Sequence, residues 1–264
     1  MNILSKIKSY KLQFLTSNSR VIVEPGGKLE IGKGVTIKRS VVYVCKGTTL
    51  RIGDNSQIVD STIYLRNMGA TLDVGMNCYV TGYEIAVWSG ICTVGNYTIL
   101  KQPSGLRKPA LDISGSLSIG THNRVSCDVW VRFGGRAVIG SRNAINQGTE
   151  LRCDELLQIG DYNQISYECI IWDTNTHCMY NAEKRRALTD EQYPDFGVET
   201  EKPKTSAVRI GSDCWIGRRA AILRGSSVGD GCVVGFGAVL IGVGCEPGTT
   251  VVSKPSLTTF PNNF

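Results

Sequence analysis

The amino-acid sequence reads as an all-β protein, a parallel β-solenoid wound in six-residue steps. In the C-terminal region Ile210, Ile216, Ile222, Val228, Val234 and Leu240 follow one another at an interval of six. A helical face repeats near 3.6 residues and a strand face every 2, so a period of six requires short extended segments, each followed by a corner. Four residues after each of the first five aliphatics stand Cys214, Ala220, Ser226, Cys232 and Ala238, all small. The branched side chain fills the interior of a coil, and the small one lets the chain turn.

The pattern extends well upstream. Ile-Gly or Val-Gly pairs begin at Ile31, Ile52, Val74, Val94, Ile119, Ile139, Ile159, Ile210 and Val228, and six residues after each comes another aliphatic, from Ile37 to Val234. The intervals between pairs are mostly 18 to 25 residues, which suits triangular coils of three hexads with small additions at one corner. Around Cys153 to Gln158, and again between Val131 and Ile139, two extra residues enter, so neighbouring coils should bulge at the same corner. Asn123, Asn143 and Asn163 lie one coil apart and read either as a stacked amide ladder, since buried polar groups need partners, or as three turn formers.

With 264 residues, 30 glycines, 42% hydrophobic and 20% charged residues, the chain suits one elongated core of nine or ten coils. Unbroken hexads from Ile210 to Leu240 favour a left-handed over a right-handed β-helix. We expect a capping segment over residues 1–20 and the solenoid over 21–264. In the first segment Ile3, Leu4, Ile7, Phe14 and Leu15 alternate with Lys6, Lys8 and Lys11, as in a short amphipathic helix that would cover the open first coil. Weak peripheral contact with anionic lipid is its alternative role. No apolar h-region with a cleavage site and no run of 18 apolar residues is present, so the expected location is cytoplasmic.

Ten cysteines, several at the small buried positions (Cys78, Cys169, Cys214, Cys232), read as free thiols used for packing. No Cys-x-x-Cys pair appears, and two histidines cannot supply the three that a zinc hydratase of this shape needs, so no metal is expected. The formal charge of +6 is scattered, without a nucleic-acid motif.

The repeat breaks once. After Ile171 the next hexad position is His177, and about 30 residues pass before the pattern resumes at Ile210. This polar excursion, residues 178–207, has no structural necessity in so regular a shaft, and long loops of this kind are usually functional. Histidine is the side chain suited to removing a proton near neutral pH. His122 falls between interior positions and should face solvent, whereas His177 opens the loop.

The run Asp173-Thr-Asn-Thr-His177, the charged loop, and then Ile210-Gly-Ser-Asp-Cys-Trp215-Ile-Gly-Arg-Arg-Ala resemble the signature of the hexapeptide-repeat acyltransferases, most of all the O-acetyltransferases of capsular sialic acid and other surface sugars. The left-handed winding, which opposes the usual right-handed crossover, rests mainly on this resemblance. It implies acetyl-CoA as cosubstrate, a homotrimer, a saccharide acceptor, and direct transfer without an acyl-enzyme. By the same resemblance His177 is the general base, Trp215 lies near the acetyl group or the acceptor, the Arg218 amide faces the thioester carbonyl, and Phe236 in Gly-x-Gly lies near pantetheine. A group holding the imidazole in one tautomer is needed as well, with Asp173, Asp154 and Glu155 as candidates that spacing does not separate. The family's usual lysine near the nucleotide is missing from its place; Lys254, Arg219 or Arg224 would supply that charge. The rival expectations are a nucleotide-sugar N-acetyltransferase and a non-catalytic β-helical scaffold.

Overall fold

The computed structural model describes residues 16–103, 106–194, 197 and 199–254. The class is the one expected: an all-β parallel solenoid with one helix among the described residues, consistent with a left-handed β-helix. Three columns of aliphatics run along its axis, one per face of the prism. Ile31, Ile52, Val74, Val94, Ile119, Ile139, Ile159, Ile210 and Val228 stack in parallel register. The residues six further on form the second column, Ile37 through Ile145 and Ile216 to Val234. The third runs from Val42 through Leu151, Ile171 and Ile222 to Leu240. Apart from Ile31, the first of its column, which is half-buried, these side chains are buried. Each contributes about 1.5–3 kcal/mol by leaving water.

One face holds eleven strands, so the coil number is eleven rather than nine or ten. The additional coils lie at the ends, where no Ile-Gly pair marks them. Thr16–Ser17 already pairs with Ile37–Lys38, and Thr250–Val251 pairs with Val233–Val234. The helix expected within residues 1–20 falls mostly on residues 1–15, outside those described.

The bulged corner is present where expected, between the strands Glu150–Cys153 and Leu156–Ile159 and between Asp128–Val131 and Arg136–Ile139. In two coils the parallel pairing instead continues through that corner, as Glu84–Val94 and Ala110–Ile119, with a bulge between Val87 and Ser89 and Gly90 at φ +82°. The asparagines form the ladder. Asn123 Oδ1 accepts from Asn143 N, Asn143 Oδ1 from Asn163 N, and Asn163 Oδ1 from Cys214 N, each at 2.8 Å. Their amide groups donate to Gly140, Gly160 and Gly211 carbonyls. The thiols at Cys78, Cys169, Cys214 and Cys232 are free and buried. No helix among the described residues is long and apolar enough to cross a membrane.

Candidate active site

The excursion leaves and re-enters the shaft through a narrow neck that begins at Asp173. This residue is fully buried, and its carboxylate accepts backbone N–H bonds from Asp154, Glu155 and Leu156, one coil back, at 2.7–2.8 Å. Burial pushes its carboxyl above the usual carboxylate range, while the three amide donors pull it back down. The Asp173 carbonyl takes Ser206 N, Thr174 bridges Thr205 antiparallel, and Asn175 N donates to Lys204 O at 3.0 Å. Arg224 closes the same neck from the next coil through Asn175 Oδ1.

A second strut comes from two coils back. Arg132 forks onto the fully buried Asp154 at 2.9 and 2.7 Å, and its Nη2 also reaches the Thr176 carbonyl at 3.3 Å. Thr176 itself has φ +64°, so the chain turns sharply just before His177. The imidazole of His177 is 64% exposed, and its Nδ1 lies 2.8 Å from Glu199 Oε1. None of the three carboxylates considered from the sequence makes that bond. Asp173 is committed to backbone amides, Asp154 to Arg132, and Glu155 to the Thr205 hydroxyl.

Within the loop, helix α1 (Ala182–Glu191) is capped by Asn181, whose side chain accepts from Lys184 N at 2.9 Å, and it buries none of its residues. Tyr180 and Lys184 both bond Glu201, drawing the outgoing and returning segments together beside the Glu199 contact. The loop thus carries ordered structure that its polar composition did not announce.

Trp215, Arg218, Arg219 and Phe236 belong to a different corner. Trp215 is exposed on a strand between Gln164 and Val233. The next residues turn the corner, where Arg218 and Arg219 share Glu168 at 2.6 and 2.7 Å. Phe236, 69% exposed, sits above Arg218 in the register, and Gly237 N bonds the Arg218 carbonyl. A Cβ on Gly217 would stand 2.7 Å from Phe236 N, so glycine is what lets these two corners stack. Between this corner and the neck lies a full prism face, Ile170–Trp172 in one coil and Ala221–Leu223 in the next. Lys254 is exposed beyond the last strand. His122 occupies a left-handed corner, φ +58°, and stacks on Tyr97 at 4.9 Å, in keeping with a surface role. Among the described residues no group of three His, Cys, Asp or Glu side chains could hold a metal ion.

Comparison with known proteins adds the following. Residues 207–242 match the family model of the bacterial transferase hexapeptide (six repeats). The probable acetyltransferase Rv3034c of Mycobacterium tuberculosis (strain ATCC 25618 / H37Rv) is 31% identical over 133 residues, 50% of this chain and 38% of that protein. The chain therefore spans well under half the length of this relative. Among solved structures, the polySia-specific acetyltransferase NeuO aligns over 86% of this chain and 78% of its own at 14% identity, TM-score 0.44. The polysialic acid O-acetyltransferase OatWY aligns over 92% of both chains at 17% identity, TM-score 0.34.

Proposed function

We propose that this chain is an acyltransferase of the hexapeptide-repeat kind, moving an acetyl group from acetyl-CoA to a hydroxyl of a bacterial surface polysaccharide or its precursor. The observation that carries the reading is the long excursion from an otherwise regular shaft. It leaves an exposed imidazole at the neck, one ring nitrogen bonded to a carboxylate and the other available to a substrate proton. The thioester supplies an acyl carbon that is already activated, so the protein must orient the acceptor, remove its proton and stabilise charge developing on the acyl oxygen. His177 Nε2 takes the hydroxyl proton while the acceptor oxygen forms its bond to the acyl carbon. As the carbon–sulfur bond breaks, the same proton passes to the departing sulfur. The Arg218 N–H is the donor we assign to the acyl oxygen, at a corner where the coil above presents Phe236, a side chain with no acceptor of its own.

The corner glycines fit a slender ligand arm: Gly217 and Gly237, the latter at φ +64°, keep the backbone around Phe236 bare of Cβ atoms. Trp215, Phe236 and Arg219 would hold the acyl donor's arm, with Lys254 toward its phosphates, since Arg224 is engaged in the neck with Asn175; Asp154 and Glu155 lie on the acceptor side of the neck. Because the neck and the Trp215–Phe236 corner are separated by a prism face, a complete site needs the corner of one protomer against the neck of another. A homotrimer meets that need, and a reaction fed by acetyl-CoA runs in the cytoplasm.

The test is His177→Ala. Since the ring is exposed, the substitution should leave circular dichroism and oligomer mass unchanged, and acetyl transfer should fall by the about 10²- to 10⁴-fold that general-base help is worth. Full retained activity would overturn the mechanism.

A further inference from the structure

His177 carries the base only if its proton sits on the correct nitrogen. A carboxylate can accept but not donate, and two acceptors do not approach to 2.8 Å without a proton between them. The contact between His177 Nδ1 and Glu199 Oε1 therefore requires a proton on Nδ1, and in the neutral ring that leaves the lone pair on Nε2. The burial is asymmetric: the imidazole is 64% exposed, while the Glu199 side chain is only 10% exposed. A covered carboxylate behind a solvent-facing ring is the arrangement of a holder and the group it holds.

The chain around both residues is fixed from two sides. On the outgoing segment, the Thr176 carbonyl is tied to Arg132 and Thr176 N to Thr174 Oγ1. On the returning segment, Glu201 bonds the Tyr180 hydroxyl and Lys184, and the Glu201 carbonyl takes the Cys178 thiol at 3.7 Å. Residues 177–180 and 199–201 are thus zipped together.

We propose that Glu199 is the positioning residue for His177, and that one task of the excursion is to deliver this carboxylate behind the ring. The inference rests on the acyl-transfer reading for its catalytic meaning, but its structural content is separable. Glu199 touches no substrate; it acts through the imidazole, fixing its tautomer and its direction.

The experiment uses the full chain with 15N-labelled histidine. With only His122 and His177 present, the two rings are distinguished by a His122→Gln control. Long-range proton–nitrogen correlation spectra should show the Nδ1–H form for His177 in the wild type and the Nε2–H form, which free histidine side chains favour, in Glu199→Ala. Glu199→Gln keeps an oxygen that accepts from Nδ1–H and should keep the wild-type tautomer. In parallel, thiol release from acetyl-CoA with a panel of oligosaccharides, oligosialic acid included, should show kcat lowered about 10- to 100-fold in Glu199→Ala, the usual cost of removing a group that orients another and less than the about 10²- to 10⁴-fold of the base itself. KM for acetyl-CoA should be unchanged and activity partly recovered in Glu199→Gln. In a His177→Ala background, Glu199→Ala should cost nothing more. An unchanged tautomer in Glu199→Ala, or a Gln variant as impaired as the Ala variant, would overturn the proposal. A tautomer switch in a protein that transfers acetyl to no acceptor would uphold the positioning contact and remove the acyl-transfer reading instead.

Discussion

Two carboxylates show how differently one side-chain type is used along this shaft. Asp154 is fully buried and ionically paired, so removing Arg132 would leave an uncompensated charge inside the protein. Arg132→Ala should destabilise the fold by about 3–5 kcal/mol, whereas replacing both partners by apolar residues of similar volume should come near to neutral. Urea titration of the single and double variants checks this. Glu168 is the opposite case, open to solvent with two guanidinium groups on it. The bonds to Arg218 and Arg219 hold its carboxyl below the usual 4.5. A depressed pKa means that this fork is complete at neutral pH and above, and is lost as pH falls through the lowered value. Carboxyl 13C titration should place the Glu168 midpoint below 4.5 and return it toward that value when both arginines are replaced by alanine. The ladder asparagines belong here too. Asn143→Ala strands the buried Asn163 N–H and the part-buried Gly160 carbonyl, and with each orphan worth about 1–3 kcal/mol the urea midpoint should drop by the equivalent of about 2–6 kcal/mol.

Helix α1 is the piece that periodicity did not foretell. Recurrence at fixed spacing marks Ile31, Ile139 and Leu240, whereas residues 178–207 lack the repeat and read only as a long polar loop. A local signal was there to be read: Asn181 followed by Ala-Glu-Lys-Arg-Arg-Ala-Leu is a capping residue ahead of strong helix formers. Glu199 had no such signal, because its partner lies 22 residues away across a segment without repeat, and no spacing rule joins them. The same blindness explains Arg132 and the two terminal coils. What could be read was the shaft, its bulged corner, the amide ladder, and the one place where the repeat stops. What could not was how the interruption is braced. Since α1 buries nothing, its stability should depend on its cap: Asn181→Ala should weaken it by about 1 kcal/mol. Hydrogen exchange should then quicken across 182–191 while protection in Val208–Ile210 stays as it was.

A solenoid couples each coil only to its neighbours, so a local wedge should propagate along the axis and fade. Gly160 supplies the place to drive one. A Cβ there would meet the Gly211 carbonyl carbon and oxygen at 2.7 Å and Ser212 Oγ at 2.6 Å, and backbone in the next coil has nowhere to yield. Gly160 follows the strand Leu156–Ile159, whose first amide is held by Asp173, and Gly211 follows Val208–Ile210, where the chain rejoins the shaft after the excursion. Overpacking of this kind costs about 1–3 kcal/mol, and it should fall on the coils that flank the neck. In Gly160→Ala, hydrogen exchange should accelerate in Leu156–Ile159 and Val208–Ile210, with little change at Thr49–Ile52, five coils away along the same column. Uniform loss of protection from end to end would mean that the shaft melts as one cooperative unit. In that case the neck would owe its rigidity to the entire stack of coils and not to the struts from Asp173 and Arg132.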